Sequence, residues 1–441
     1  MSTETAPRYT SYPTAPHFQA DITGEVAENW IAAIPAGERL SLYVHVPFCD
    51  RLCWFCACHT KQTLRYSPVA SFLASLLSEI RMVGARVGGA ARVAAVHFGG
   101  GSPTMLKPDD LRTLMQVLRE SFNILPDASI CMEIDTNDMG DAKLEALADM
   151  GLTRASLGIQ DFDTGVQQAI NRLQSFADTK SVVDGLRARG IASVNLDVLY
   201  GLPHQTCDSV AATMAKVLSL RPDRIALFGY AHVPWFKKHQ TMIKEAALPD
   251  RDERLAQSLR AAGIVTDAGY EAIGLDHFAL ADDSLALAAR RGRLRRNFQG
   301  YTDDDCDTLI GLGPSSVSRY RQGYAQAVTA TGDYQRRVEE GSLPIVRGVA
   351  FTDDDRVRGW MIERLMCDFR FSVSEAIALF GQAAYPVLAE ASIVTQEPDA
   401  KLVRTGDVFV VPRPHRPLVR LVAARFDTYF SRGVAKHSAA V

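Results

Sequence analysis

The chain reads as an α/β protein: a partial (β/α)6 TIM-like barrel with an N-terminal arm and a small, mostly helical C-terminal domain. Three observations predict it. From Ser41 onward, short apolar runs alternate with longer amphipathic stretches, the pattern of βαβ units around a parallel sheet. About six such units follow one another before the alternation stops near residue 285. The 441 residues are enough for one large catalytic domain with appendages.

Residues 1–40 form an arm rich in Pro, Tyr and Thr, with one short helical pattern near 25–34. The barrel spans 41–290. Its strand-like runs are 42–46, 93–98, 130–134, 154–158, 194–200, 224–228 and 272–275. Helix-like segments between them cover 69–87, 108–122, 142–150, 180–189, 209–220 and 252–262. In the first of these, Phe72, Leu76, Ile80 and Val83 recur at helical spacing, and Pro108 suits the first turn of the next. Residues 291–344 read as a connecting region, entered through a basic cluster around Arg293. Residues 345–441 read as an α-rich or winged-helix-like domain. Helices are expected over 353–366, 373–380 and 417–430, with two β-like runs near Leu402 and Phe409. An open doubly wound sheet is the runner-up; either fold puts a site at the carboxyl ends of the strands.

The hydrophobic fraction of 47% and charged fraction of 22% are those of a protein with a substantial core. A net charge of −3 gives no global reason to expect nucleic acid or an anionic membrane as partner. No apolar run is expected to approach the roughly 20 residues a membrane helix needs. The polar stretch 1–13 has no signal-peptide core, so a cytoplasmic location is expected.

Of eight cysteines, Cys49, Cys53, Cys56 and Cys58 lie within ten residues, while Cys131, Cys207, Cys306 and Cys367 are scattered. A disulfide framework would spread its cysteines, so the cluster points to metal. The spacing C-x3-C-x2-C, directly after the first strand, aims three soft thiolates at one small object. Iron–sulfur and zinc both suit such donors. A structural zinc site normally shows a second ligand pair further along, and none follows at that spacing. His59 keeps a Cys-rich zinc knot as the other reading.

The segment Cys49-Asp50-Arg51-Leu52-Cys53-Trp54-Phe55-Cys56 resembles the signature of the radical S-adenosylmethionine superfamily. The resemblance implies a 4Fe-4S cluster on Cys49, Cys53 and Cys56, with the fourth iron binding S-adenosylmethionine, and hence a radical-SAM barrel. Further stretches narrow it: Arg8-Tyr9-Thr10-Ser11-Tyr12-Pro13-Thr14, Phe55-Cys56-Ala57-Cys58, Gly158-Ile159-Gln160-Asp161-Phe162, Asn171-Arg172, the run 197–203, Tyr230-Ala231-His232, Asp276-His277-Phe278-Ala279, the run 297–302 and Phe426-Asp427-Thr428-Tyr429. These are similar to bacterial oxygen-independent coproporphyrinogen III oxidases over nearly the whole chain.

That family implies oxidative decarboxylation of two propionates of coproporphyrinogen III to vinyl groups, giving protoporphyrinogen IX. It implies one or two molecules of S-adenosylmethionine. It also implies a flavodoxin- or ferredoxin-like electron donor, an unidentified acceptor and a monomer. By resemblance, Tyr43, Gly100, Gly101 and Glu133 stand beside the cofactor, Tyr43 also as catalytic residue, and Val317 supplies an apolar contact. Phe55, Gly101, Ser102, Gln160, Arg172, Asp197 and Ala231 match contacts to a second S-adenosylmethionine or the substrate region. Taken singly, most of these residue types are structural. Arg172 has the fork to hold a carboxylate, and the cluster around Arg293 is either a solvated face or an attraction for the four carboxylates of the substrate.

The chain departs from the family at Thr136-Asn137, where Pro-Arg is usual, so an arginine near the cofactor is replaced. Two rivals share the chemistry or the fold: a radical enzyme acting on another tetrapyrrole, and a haem chaperone. Cys58, the arm and the C-terminal region match the oxidase rather than the chaperone.

Overall fold

The computed structural model describes residues 6–89, 91–137 and 139–430. Six parallel strands succeed one another in chain order: β1 (Arg39–Val46), β2 (Arg92–Gly100), β3 (Asn123–Ile134), β4 (Arg154–Gln160), β5 (Ser193–Tyr200) and β6 (Arg224–Gly229). The helices Ser67–Val87, Pro108–Ser121, Asp141–Asp149, Phe176–Ala188 and Cys207–Ser219 cross between them. Local signals set their starts. Pro108 occupies the first turn of its helix. The Ser175 hydroxyl accepts from the Asp178 N–H. Thr206 and Ser209 form a reciprocal capping box. The apolar faces of these helices and strands merge into one core running from Leu40 and Phe72 to Leu227 and Ile310.

Beyond β6 the sheet continues with β7 (Glu271–Ile273) and β8 (His277–Ala279), both antiparallel. The run expected over 272–275 is thus a short edge strand rather than a seventh parallel one. On the other side, β9 (Thr308–Leu312) lies parallel to β1, and β10 (Val317–Tyr320), β11 (Gly323–Ala327) and β12 (Ile345–Ala350) follow as antiparallel neighbours. The complete order is β12-β11-β10-β9-β1-β2-β3-β4-β5-β6-β8-β7. The stretch 291–344, expected to be a connection, therefore contributes three strands to the sheet of the barrel. Its alternation is broken by hairpins instead of helices, which hid it from a βα pattern.

A second core holds the C-terminal region. Val357, Met361 and Leu365 of helix Asp353–Asp368 pack with Phe371, Phe409 and Phe426, and Tyr9 and Tyr12 of the arm belong to the same cluster. The helix expected over 417–430 is shorter: a 3-10 turn at Arg413–Leu418 leads into one at Val419–Ala424. Contrary to the sequence expectation about apolar length, Ser67–Val87 and Val373–Val394 are long and apolar enough by composition to cross a membrane. The first is a crossover helix with its apolar face in the barrel core, and the second folds onto the C-terminal core.

Candidate active site

Because side chains alternate along a strand, every second residue of the barrel strands points inward, and the register stacks them in three rows. Tyr43, His97, Cys131 and Arg154 are paired across β1–β4. Glu133, Ser156, Asn195 and Arg224 form the next row across β3–β6. Gly158, Asp197, Ala226 and His277 form the third, which ends on β8. The interior of this barrel is polar, where a structural barrel is filled by branched apolar side chains.

The rows line a cavity of about 330 Å3 whose upper wall is the loop after β1. Cys49, Cys53 and Cys56 line it, together with Phe55, Gly100, Gly101, Ser102, Glu133, Gln160, Arg172 and Asp197. Eleven of the fourteen residues singled out from sequence thus meet in one place. Tyr43 stands just behind, its ring stacked on His97 at 5.8 Å. Ala231 and Val317 do not line the cavity. The Ala231 carbonyl accepts from Gln240 Nε2 at 3.2 Å, and Val317 lines a small neighbouring pocket with Arg319 and Tyr324.

Each thiol has a neighbour from outside the motif spacing. Cys49 Sγ lies 3.0 Å from Thr60 Oγ1. Arg172 Nη1 is 3.6 Å from Cys53 Sγ, and the Cys58 N–H donates to Cys56 Sγ at 3.4 Å. Burial pushes the Cys49 thiol up to about 12. Hydrogen bonds from Cys58 draw Cys56 down to about 7. Among the described residues, the one set of three metal-type side chains within 4.8 Å of one another is Asp304, Asp305 and Cys306. The three motif sulfurs are spread more widely than that. A single zinc ion, with bonds of about 2.3 Å, would gather them closer, whereas a cluster of several irons needs the wider spread. The donor set therefore fits an iron–sulfur cluster.

Glu133 is held in place at the carboxyl end of β3. Its Oε2 accepts from the Gly100 N–H at 3.2 Å and its Oε1 lies 3.3 Å from His97 Nε2. Burial alone would depress the His97 imidazole; Cys131 and Glu133 outweigh it and raise it to about 10. The glycine run makes this packing possible. A Cβ at Gly99 would lie 2.8 Å from the Glu133 carboxylate, and one at Gly100, whose φ is +113°, would lie 2.6 Å from the His45 ring. These glycines admit side chains from neighbouring strands. His45 is fixed too: its Nε2 donates to the His59 carbonyl at 2.9 Å, leaving Nδ1 to accept from the Tyr43 hydroxyl at 3.2 Å. Burial depresses it to about 4, so it is neutral.

Arg172, expected to grip a ligand carboxylate, spends much of its fork inside the chain. Nη1 donates to Asp135 Oδ2 at 3.1 Å and Nη2 to the Gly158 carbonyl at 2.8 Å. The departure at Thr136-Asn137 is absorbed here: Asn137 donates to the other Asp135 oxygen from both its main-chain N–H and its side-chain amide. Asp197 accepts from Asn195 Nδ2 at 2.8 Å and Ser156 Oγ at 3.1 Å, yet burial still lifts it to about 6. At the opposite end of the barrel, Arg154 and Arg224 both reach Asp303, at 3.4 and 3.1 Å, and close the floor.

Sequence reasoning passed over His97, Cys131, Asp135, Arg154, Ser156, Asn195, Arg224 and His277, all of which line the cavity. The available signal was the two-residue step from Glu133, Gly158 and Asp197, which picks polar residues out of otherwise apolar strands.

A profile of the Radical SAM superfamily matches residues 43–217. Oxygen-independent coproporphyrinogen III oxidase from Paracoccus denitrificans is 47% identical over 442 residues, covering 99% of this chain and 96% of that protein. The protein of the same name from Bradyrhizobium diazoefficiens is 45% identical over 439 residues, covering 99% and 98%. The structure of coproporphyrinogen III oxidase from Escherichia coli, described as a radical SAM enzyme, superposes with a TM-score of 0.91 at 36% identity, covering 96% of this chain and 97% of that one. With its thiol loop at the mouth of a polar barrel and relatives that match from end to end, the chain belongs to the oxygen-independent coproporphyrinogen III oxidase family of the radical SAM superfamily.

Proposed function

We propose that this protein converts coproporphyrinogen III to protoporphyrinogen IX without oxygen, by oxidative decarboxylation of two propionate side chains. The observation that carries the reading is the end-to-end likeness to oxidases of that name, joined to a cavity where three thiols and Glu133 face one space. When bound, a 4Fe-4S cluster and S-adenosylmethionine supply one-electron chemistry able to break an unactivated C–H bond. Cys49, Cys53 and Cys56 would hold the cluster. Glu133, braced by Gly100 and His97, would take the amino group of S-adenosylmethionine through a charge-assisted contact. Tyr43 backs this wall through His97 and His45. Phe55, Ser102, Gln160, Asp197 and the Arg172–Asp135 pair border the space left for a second S-adenosylmethionine or the tetrapyrrole.

The rest of the chain positions groups and excludes water. The Arg154–Asp303–Arg224 ion pairs close one end of the cavity and would limit solvent access to the reacting groups from that side. Eight free cysteines and the absence of any disulfide among the described residues support a reducing, cytoplasmic setting. Partners would be the substrate, a flavodoxin- or ferredoxin-like donor and an electron acceptor, with the protein acting as a monomer. Anaerobically reconstituted protein, given coproporphyrinogen III, S-adenosylmethionine and dithionite, should yield vinyl product with loss of two carboxyl groups. Cleavage of S-adenosylmethionine with intact coproporphyrinogen would move the assignment to another tetrapyrrole.

A further inference from the structure

Resting on the function proposed above, we infer that His277 contacts the substrate: its Nε2 accepts a pyrrole N–H of the porphyrinogen and stabilises the positive charge that reaches the ring as the propionate is oxidised. The imidazole stands on the third row of the barrel interior, in register with Ala226 and through it with Asp197. It lines the cavity although the residue is only 7% exposed.

Its surroundings fix which nitrogen faces a ligand. Nδ1 lies 2.8 Å from Asp276 Oδ1. A carboxylate only accepts, so Nδ1 is the donor and carries the hydrogen. Burial opposes the charge on Asp276; the His277 hydrogen bond, Arg296 and Arg8 outweigh it and hold the carboxyl below its ordinary value. In the neutral ring Nε2 is then a bare acceptor. Among the described residues it has no hydrogen-bond partner, and it is not one of the sealed, orphaned polar atoms. Phe228 and Tyr301 meet the imidazole edge to face, with centroids at 5.4 and 5.3 Å, and hold its plane. Gly300 leaves the Nε2 edge uncovered: its φ is +113°, and a Cβ there would lie 3.2 Å from Nε2.

Other acceptors on the cavity wall are already engaged. Glu133 takes the Gly100 N–H, Asp135 takes Arg172 and Asn137, and Asp197 takes Asn195 and Ser156. A porphyrinogen needs an acceptor of this kind. Each of its pyrrole nitrogens bears a hydrogen and gives its lone pair to the ring, so the centre of the macrocycle offers donors alone. Removal of a hydrogen atom and then an electron from the carbon next to the ring leaves positive charge shared with the pyrrole nitrogen. The bond to the carboxylate carbon then breaks, its electron pair becomes the vinyl double bond and CO2 departs. The electron goes to the acceptor that the overall reaction already requires, and the hydrogen stays on nitrogen throughout. A hydrogen bond from that nitrogen to Nε2 strengthens as the charge develops, so it favours the oxidised ring over the resting one.

The test uses reconstituted full-length enzyme and coproporphyrinogen III carrying deuterium at the propionate carbon next to the ring. His277→Phe should lower CO2 release on the order of a hundredfold. The Kd for coproporphyrinogen III, read from tryptophan fluorescence, should rise only about two- to tenfold, the worth of one neutral hydrogen bond. Asp276→Asn should slow CO2 release by a similar factor. Arg8 and Arg296 favour the amide oxygen of that variant, so its nitrogen donates to Nδ1, moves the ring hydrogen to Nε2 and turns the acceptor into a donor. Both variants should keep their iron content and still pass deuterium into 5′-deoxyadenosine, so that deoxyadenosine formed per CO2 rises. His277→Gln, whose amide oxygen can accept, should recover part of the loss. Wild-type CO2 release in His277→Phe and Asp276→Asn would overturn the assignment. So would loss of deuterium transfer in step with CO2, the mark of a structural role, or rescue by His277→Lys, the mark of a cation for a propionate. The proposed function is read separately on the wild-type enzyme: absence of CO2 release there would refute it, and this inference with it.

Discussion

Cys49, Cys53 and Cys56 leave β1 on one short loop, yet their surroundings differ. Cys49 sits against Thr60, Cys53 against Arg172 and Cys56 against Cys58. Replacing any of the three by alanine should abolish an assembly of about four irons and four sulfides, measured on anaerobically purified protein. Cys58→Ala should leave the stoichiometry intact, because Cys58 only leans on Cys56. Tightly bound zinc in place of iron would refute the assignment. Glu133 makes the second residue-scale test. Its carboxylate is pre-positioned by Gly100 and His97, so Glu133→Gln should weaken S-adenosylmethionine binding by about 1.5–3 kcal/mol, roughly ten- to a hundredfold. The iron–sulfur absorption should not change. Wild-type affinity in that variant would remove Glu133 from the cofactor site.

At the scale of elements, a buried acid helps fasten the strands β9 to β12 to the barrel. Glu79, on helix Ser67–Val87, is 2% exposed. Its Oε2 accepts from the Tyr334 hydroxyl at 2.6 Å and the Gly313 N–H at 2.7 Å, tying the helix to the turn after β9 and to helix Thr331–Glu339. Burial raises it from 4.5 to about 7, and the two hydrogen bonds offset that only in part. A raised acid favours the folded state below its unfolded pKa, and that contribution fades as pH rises through about 7. Glu79→Gln keeps an acceptor and removes the charge. Its unfolding free energy should therefore vary less between pH 5 and 9 than wild type, by up to about 3 kcal/mol. Denaturant melts at several pH values measure it, and parallel curves for the two proteins would show that Glu79 ionises in the folded state as readily as in the unfolded chain.

For the molecule as a whole, the arm is the fastener between barrel and C-terminal region. Arg8 Nη2 donates to the Gly229 carbonyl at the end of β6. The Tyr9 hydroxyl donates to Asp427 Oδ2 and the Tyr12 hydroxyl pairs with Thr428, both at 3.1 Å. Arg420 reaches back to the Pro7 carbonyl at 3.0 Å. Tyr9→Phe leaves a buried carboxylate short of a donor and should destabilise by about 1–3 kcal/mol, read as a lowered Tm. If the arm also closes over the substrate, deleting residues 1–14 should spare the cluster and S-adenosylmethionine cleavage but uncouple them from decarboxylation. The readout is deoxyadenosine formed per vinyl product under anaerobic turnover; an unchanged ratio and rate would deny the arm that role.

What the linear chain determined is what chemistry writes locally. The three thiols at fixed spacing, the βα alternation from Ser41 to about residue 285, and the first-turn proline Pro108 all act within a few residues, so they are legible without coordinates, whereas the caps at Ser175 and Thr206 start their helices a few residues earlier than the apolar pattern indicated. The sites at strand ends followed from them, because a parallel barrel gathers its βα loops at one end. The tertiary structure decided what depends on residues distant in sequence. Register between strands, set by the whole sheet, put His97 against Glu133 and Cys131. It also set Asp197 beside His277, and left Val317 and Ala231 outside the cavity. Pairing across the chain turned 291–344 from a connection into sheet, because hairpin strands carry no βα signature. The ion pair with Asp135 bent Arg172 from a free ligand clamp into a brace for the cysteine loop, and no spacing along the chain encodes which partner a guanidinium will meet once both are buried.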